Sequence, residues 1–240
     1  MSSPLFDDQA RALRHMRAAR LSGDLFLENR AFHDCIDRLA DIRTDFSAAL
    51  IAGRSNSDWQ ERLESIVPQV SVGDPGVIAP QSFDLCLSIG GLESSNELVA
   101  ETFVLRHLLR PGGLLIGAII GGNSLPCLRA AMLAADRLDG HASPRLHPSV
   151  DGPSLAALLT SAGFIEPVID VDRVDVAYPS LDRLVGDLRA MGCTNLLAQR
   201  SKKTMTRGAF HLAQRTFNGG QTATVERFEL LHFAAWAPKI

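Results

Sequence analysis

Short apolar runs recur along the chain and are bounded by glycine, proline and small polar residues. Runs with the length and composition of strands buried on both faces of a parallel sheet cover residues 48–53, 83–89 and 114–120. Weaker strand patterns cover residues 70–72, 165–178 and 222–236. The glycine pair at the start of the last run is typical of a turn that leads into a strand.

Segments with apolar residues at helical spacing separate these strands. The predicted helices cover residues 57–66, 97–109, 125–138, 154–162, 181–191 and 208–217. A capping box predicts that the first of them begins at Ser57, and residues 110–113 are expected to close the second. Residues 5–45 are also predicted to be helical, with a break at Gly23.

The alternation of strands and helices indicates an α/β fold with a doubly wound sheet. We therefore divide the chain into an N-terminal helical extension, residues 1–45, and an α/β domain, residues 46–240. A chain of this length can bury a substantial core.

Composition narrows the choice of partners. The 240 residues carry a formal net charge of −3, a balance that favours no nucleic-acid partner. No run of about 18 apolar residues is present, so we expect no membrane insertion. The N-terminus lacks the apolar core of a secretory signal, and Asp7 and Asp8 argue against a transit peptide, so a cytoplasmic location is expected.

Arginine recurs at every third position of the first predicted helix, and the four positions are Arg11, Arg14, Arg17 and Arg20. Such a face is either solvated or a docking surface for an acidic partner. A protein partner could therefore bind through the N-terminal helices. The four cysteines show neither C-x-x-C pairing nor zinc-ligand spacing, which predicts no metal site.

Three sets of residues carry a family resemblance. The sequences SFDLCLS (residues 82–88) and LLRPGGLLI (residues 108–116) resemble, in order and spacing, two strands and the intervening helix of class I S-adenosylmethionine (SAM)-dependent methyltransferases. The third set resembles the branch with the malonyl-carrier-protein methyltransferases and the complex I assembly methyltransferase-like proteins. Its members are residues 121–125, 143–144, 162–164, 170–172, 187–192 and 233–238, with Tyr178 and Asn195.

This resemblance implies a Rossmann-like methyltransferase fold, with a mostly parallel sheet and an antiparallel last strand, and it implies SAM as the cofactor. In the family, a glycine-rich turn after the first strand lets the main chain approach the methionine part of SAM. The matching turn here consists of Gly53, Arg54 and Ser55. With one glycine left and a long cation beside it, SAM binding is either lost or weakened, or it uses a reshaped loop. A third alternative is another ligand, with Arg54 holding an anion.

Further positions complete the site that the resemblance implies. Asp74 follows Gly53 at about the separation of an acid that accepts hydrogen bonds from the ribose, or it belongs to a plain Asp-Pro-Gly turn. Gly90 and Gly91 stand where the relatives carry a His-Trp pair, and they either open space for a ligand or form a turn.

The stretch between Asp74 and the strand at residues 83–89 is too short for the helix and strand that the family places there. A right-handed crossover between parallel strands needs about a dozen residues or more. The sheet should therefore be shortened in its middle, with either strand two or strand three missing.

Catalytic candidates are few. His147 is either a general base or a solvated loop residue. Tyr178, the only tyrosine, either orients a substrate or packs against a strand edge. The resemblance thus implies methyl transfer from SAM to a small-molecule or protein acceptor. The alternative is a non-catalytic assembly or scaffold protein, for example in respiratory complex I assembly.

Overall fold

The computed structural model describes residues 3–21, 25–42, 44–73 and 78–239. The strands are β1 (Ala48–Gly53), β2 (Gln69–Val72), β3 (Phe83–Ile89), β4 (Leu109–Ile120), β5 (Ile165–Tyr178) and β6 (Thr224–Trp236). The α-helices are α1 (Asp8–Arg20), α2 (Phe26–Asp41), α3 (Ser57–Glu64), α4 (Leu98–Leu108), α5 (Pro126–Asp139), α6 (Gly152–Ser161), α7 (Leu181–Ala190) and α8 (Arg207–Asn218). A 3₁₀ turn covers Leu92–Ser94.

The strands form one sheet in the order β2-β1-β3-β4-β6-β5. β1 pairs in parallel with β2 and with β3, and β3 pairs in parallel with β4. β6 pairs with β4 in the antiparallel direction. The predicted α/β fold with an antiparallel last strand is therefore confirmed. Helix α3 connects β1 to β2 and helix α4 connects β3 to β4, which allows these pairs to be parallel, whereas β6 enters the sheet through the predicted glycine turn.

The position of β2 shows which strand is missing. β2 pairs with β1 from Ala48 opposite Gln69 to Ile51 opposite Val72, so strand two of the family is present. The described residues between β2 and β3, which are residue 73 and residues 78–82, form no strand. The missing strand is therefore strand three, and β2 is an edge of the sheet.

The described chain divides into two compact units. One, which we call the sheet unit, contains β1–β4, α2, α3, α4, α6, residues 165–172 of β5 and residues 230–236 of β6. The other, which we call the helical unit, contains α1, α5, α7, α8, residues 173–178 of β5 and residues 224–229 of β6. The division at residue 45 inferred from the sequence stays a prediction.

Both faces of the sheet are covered in the sheet unit. Leu50, Cys86 and Leu115 belong to a core cluster that also contains side chains of α4 and α6. On the opposite face, α2 packs against β3 and β4, and its Phe32 stacks on Trp59 of α3 with ring centroids 5.0 Å apart. Because neither face of these strands meets water, their sequences are apolar at consecutive positions.

A buried carboxylate organises the helical unit. Glu226 of β6 is fully buried, and it accepts hydrogen bonds from the main-chain N–H groups of Cys127 at 3.1 Å and Leu128 at 2.7 Å. These groups belong to the first turn of α5, where the helix dipole favours a negative charge. Glu226 therefore supplies the N-terminal cap that the α5 sequence lacks, and this contact explains an acidic residue in the core.

The arginine face of α1 is only partly solvated. Arg11 pairs with Asp8, and Arg14 donates a hydrogen bond of 2.8 Å to the carbonyl of Thr194. Arg17 and Arg20 are exposed, so they remain the members of this face that a partner could contact. Among the described residues, no helix is both long and apolar enough to cross a membrane.

The predicted beginning of α3 at Ser57 is confirmed, whereas the predicted beginning of β4 is too late. Asn56 rather than Ser57 caps α3, because the Asn56 side chain accepts the N–H of Trp59 at 2.9 Å. β4 includes residues 110–113, which were expected to form a closing turn. The Ala237 N–H donates to the Gly113 carbonyl at 2.8 Å, which extends the strand pairing into this segment. The predicted break at Gly23 lies outside the described residues.

The close approach of β3 and β4 gives a test of the fold. A Cβ at Gly117 would lie 1.9 Å from the carbonyl oxygen of Ser88 and 2.8 Å from the Phe233 ring. We predict that Gly117→Ala lowers the free energy of unfolding by about 3 kcal/mol, because the main chain must move to relieve the overlap. Urea unfolding followed by circular dichroism measures the change.

The control is Gly186→Ala in α7, where the added methyl meets no atom within 4 Å. It should raise stability by about 0.5–1 kcal/mol, because alanine has the higher helix propensity. If the Gly117→Ala midpoint equals that of the unmodified protein, the described contact between β3 and β4 is wrong.

Candidate functional site

The main chains of β1 and β3 come very close where both strands end. Gly53, the last residue of β1, has φ +94°, and a Cβ there would lie 2.3 Å from the carbonyl oxygen of Gly90. The N–H of Arg54 donates to the Ile89 carbonyl at 2.9 Å. Only glycine allows this geometry at residue 53. The contact lies at the carboxyl ends of parallel strands, where ligands bind in open α/β sheets.

Two more glycines line the same place. Gly90 has φ +62° and Gly91 has φ +126°. Within 4 Å, a Cβ at Gly91 would meet only the Cα of Gly53, at 3.8 Å, so it would project into open space. We call Gly53, Gly90 and Gly91 the glycine cradle. It is a main-chain surface without side chains, which suits close approach of a ligand.

The Arg54 side chain crosses one side of this cradle. A Cβ at Gly90 would lie 3.1 Å from the Arg54 Cδ, so the aliphatic part of Arg54 takes the space above Gly90. The Arg54 Nη1 donates to the Glu28 Oε1 in α2 at 2.8 Å. The two side chains are only 17% and 11% exposed, so the ion pair is largely shielded from water.

A second carboxylate stands beside the cradle. Glu93 accepts a hydrogen bond of 3.0 Å from the Gly91 N–H. Burial raises the pKa of Glu93, the charge of Glu28 raises this pKa further, and Arg54 acts in the opposite direction. Glu93 is two residues from Gly91, so its proximity could have been noticed in the sequence. Glu28 carries no local signal, because it is far from Arg54 along the chain.

Other predicted members of this site are less informative. Ser55 is exposed at the beginning of the turn into α3. Asp74 lies outside the described residues, so its ribose role stays a prediction. The structure thus brings Gly53, Arg54, Gly90 and Gly91 together, with Ser55 next to them in the chain.

A polar network fastens α2 to the sheet and was not found from the sequence. His232 of β6 is 2% exposed, and its Nδ1 lies 2.9 Å from the Asp34 Oδ2 in α2. Burial lowers the pKa of His232, whereas the charge of Asp34 raises it. Arg30 of α2 pairs with Asp172 of β5 at 2.5 Å. The Arg30–Asp172 pair and the packing of α2 on β3 and β4 hold the helix that presents Glu28.

The register places His232 in the same row of residues as the cradle. Gly53 lies opposite Ile89, Ile89 opposite Ala118, and Ala118 opposite His232. Residues that face each other across a sheet point to the same side. The network therefore lies on the face of the sheet that α2 covers.

His147, a catalytic candidate, belongs to the helical unit and has structural contacts. Its Nε2 accepts the N–H of Leu196 at 2.8 Å, and its ring packs edge-on against Phe6 with centroids 5.3 Å apart. Burial lowers the pKa of His147 to about 4, and the charge of Arg14 contributes. A neutral ring whose Nε2 already accepts a main-chain hydrogen bond is poorly placed to take a substrate proton, so a base role stays a prediction.

Tyr178, the other candidate, also lies in the helical unit. It is 3% exposed at the end of β5. Burial raises the pKa of its phenol, and the charge of Asp187 adds to the effect. Tyr178 is therefore a neutral, buried phenol, and its orienting role stays a prediction.

No family model matches the chain. It is 29% identical to "Arginine-hydroxylase NDUFAF5, mitochondrial" from Danio rerio over 214 residues, which cover 85% of this chain and 63% of that protein. The Mus musculus protein of the same name is 27% identical, with 97% and 77% covered. "Malonyl-[acyl-carrier protein] O-methyltransferase" from Xylella fastidiosa is 32% identical over 190 residues, with 77% and 61% covered. The chain thus spans less than two thirds of the Danio rerio and Xylella fastidiosa relatives.

A solved structure from Bacillus halodurans, described as a candidate methyltransferase, superposes with a TM-score of 0.54 at 13% identity. The match covers 86% of this chain and 98% of that one. The sheet order and this superposition define a Rossmann-like methyltransferase fold. Together with the sequence relatives, they support the resemblance to the class I SAM-dependent methyltransferases, in the branch that contains these relatives.

The neutral state of His147 gives a pH prediction. Its pKa is about 4 in the folded protein and 6.5 in a free side chain, so the unfolded state binds the proton more readily. The stability that His147 contributes is present above the free pKa and falls as the pH decreases towards the folded one. As the pH falls from about 7 to about 5, proton uptake by His147 in the unfolded chain should lower the free energy of unfolding by about 2 kcal/mol.

His147→Gln tests this expectation, because a glutamine carbonyl can accept the Leu196 N–H without titrating. Urea unfolding at both pH values should show a smaller acid-induced loss in the variant than in the unmodified protein. Equal losses would mean that His147 is protonated as readily in the folded as in the unfolded chain.

Proposed function

We propose that this protein binds SAM in the glycine cradle and transfers its methyl group to an acceptor. The observation that carries the proposal is the main-chain contact of β1 with β3 at Gly53, next to the open space above Gly91. The carboxyl edge of the sheet is the expected ligand position for this fold. The similarity to methyltransferases in sequence and fold supports the same cofactor.

The residues around the cradle fit the methionine part of SAM. Gly53, Gly90 and Gly91 would allow the ligand to contact the main chain directly, and Glu28, Arg54 and Glu93 supply charged groups at its border. SAM would supply a methyl group on a positively charged sulfur. Displacement at that methyl depends mostly on alignment of the acceptor, so we assign no general base.

The acceptor is a small molecule or a protein group. The names of the relatives indicate two different reactions, O-methylation of a malonyl-carrier protein and hydroxylation of arginine. A malonyl thioester on an acyl carrier protein is thus the first acceptor to assay. Two relatives are named as mitochondrial, so the cytoplasmic location also stays a prediction.

The position of Arg54 favours a second candidate function. Its side chain takes the space above Gly90, which would weaken cofactor binding if the ion pair with Glu28 cannot open. The protein would then be a non-catalytic assembly or scaffold factor. The exposed Arg17 and Arg20 of α1 and the exposed Lys202 and Lys203 would be its contact surfaces for an acidic protein partner.

Isothermal titration calorimetry with SAM distinguishes the two candidates. We expect saturable binding to the unmodified protein, and at least about tenfold weaker binding to Gly91→Ala, because the added methyl enters the cradle. Gly140→Ala is the matched control: Gly140 also has a positive φ of +71°, but a Cβ there meets nothing within 4 Å. It should bind SAM like the unmodified protein.

If the unmodified protein produces no heat with SAM at millimolar concentration, the methyltransferase proposal is wrong and the scaffold function replaces it. Equal affinities of the Gly91→Ala and unmodified proteins would place the cofactor elsewhere. Transfer of a labelled methyl group from SAM to the malonyl-carrier protein would identify the acceptor.

A further inference from the structure

We propose that Arg54 and Glu28 are a receptor for the α-amino-acid end of the ligand, with Arg54 binding the carboxylate and Glu28 the ammonium group. This inference rests on the proposed function, because it concerns the same cradle. It assigns Arg54 a role opposite to that of an obstruction.

The charges of the pair are complementary to those of an α-amino acid. A guanidinium binds a carboxylate through two parallel hydrogen bonds, and a carboxylate accepts hydrogen bonds from an ammonium group. The Nη1 of Arg54 and the Oε1 of Glu28 are 2.8 Å apart. An amino-acid ligand can therefore replace each partner of the internal pair by a group of the same charge.

Replacement of the Arg54–Glu28 contact by contacts with the ligand also keeps both shielded charges paired. The side chains of Arg54 and Glu28 are 17% and 11% exposed, and a shielded charge that loses its partner is strongly destabilised. A ligand with only a positive or only a negative group would leave one of the two charges unpaired. The pair therefore selects a ligand that carries both charges close together.

Glu93 is a second carboxyl group at this border of the cradle. Burial together with the charge of Glu28 raises the pKa of Glu93, whereas the charge of Arg54 lowers it. An incoming ammonium group would act on this pKa in the same direction as Arg54. The main-chain N–H of Gly91 holds Glu93 at 3.0 Å, so this carboxyl group is already in place.

The geometry permits Arg54 to turn. What lies above Gly90 is the Cγ and Cδ of a flexible side chain, whereas the main chain of Arg54 is fixed by its bond to the Ile89 carbonyl. Glu28 is held through α2, because Arg30 of that helix pairs with Asp172 and the helix packs on β3 and β4. The Arg54 side chain can change its rotamer, whereas Glu28 is preorganised, and preorganisation lowers the entropy lost when a ligand binds.

The two roles of Arg54 predict opposite results. If Arg54 only obstructs the cradle, removal of its charge and length increases ligand affinity. If Arg54 binds the carboxylate, the same change decreases affinity, and only for ligands with an amino-acid end. S-adenosylhomocysteine carries that end, whereas 5′-methylthioadenosine keeps the adenosine and the thioether but lacks it.

The experiment is calorimetric titration of both ligands into the unmodified protein and Arg54→Gln. We expect Arg54→Gln to bind S-adenosylhomocysteine about tenfold more weakly or worse, and to bind 5′-methylthioadenosine with unchanged affinity. Arg62→Gln removes an exposed charge from α3 and is the matched control. It should leave both affinities unchanged, and thermal unfolding checks that each variant is folded.

Three outcomes overturn the inference, and they are distinguishable. Equal affinities of Arg54→Gln and the unmodified protein for S-adenosylhomocysteine refute the receptor but leave the proposed function intact. Tighter binding by Arg54→Gln shows that Arg54 is an obstruction. Absence of binding of either ligand to the unmodified protein refutes the receptor and the proposed function together.

Discussion

The contact of two main chains at the ends of β1 and β3 determines what this edge of the sheet can hold. At Gly53 the chain turns with a positive φ, and the carbonyl of Gly90 occupies the place of a Cβ. The hydrogen bond from the Arg54 N–H to the Ile89 carbonyl closes the contact. As a result, the side chain of Arg54 emerges directly above two glycines, and every group at the site is placed relative to this turn.

Side chains supplement the main chain at this site. The family resemblance implies a turn with several glycines, whereas this chain has one glycine followed by Arg54, and Arg54 is neutralised by Glu28. Largely shielded ion pairs contribute little net stability, because desolvation offsets most of the attraction. Stability alone is thus a poor explanation for such a pair beside the cradle, and recognition of a charged ligand explains it better.

Helix α2 connects this site to the rest of the sheet unit. The helix packs on β3 and β4. Its Arg30 pairs with Asp172 of β5, and its Asp34 lies next to His232 of β6. The edge strand β2 lies between the position of the missing strand three and β1, and β1 and β3 remain neighbours, so the cradle does not lie at the shortened edge. The sequence relatives carry names of different reactions, which agrees with the rule that function resides in the site and not in the fold.

The sequence by itself determined the elements and the class of fold. The strand at residues 83–89 and the helix beginning at residue 181 match β3 and α7, because local periodicity reports which face of an element is buried. It also named Gly53, Arg54, Gly90 and Gly91 as candidate cofactor-binding residues. The family resemblance locates the turn after the first strand, and the glycines and the arginine can be read directly from the sequence there.

Only the tertiary structure decided what these residues contact. Glu28 of α2 accepts a hydrogen bond from Arg54, and the Leu196 N–H donates to the Nε2 of His147. The strand that pairs with β1 is strand two of the family, so strand three is the missing one. Such partners are distant along the chain, and many pairings satisfy the same apolar pattern. Which one forms depends on how whole elements pack, and local spacing carries no information about that.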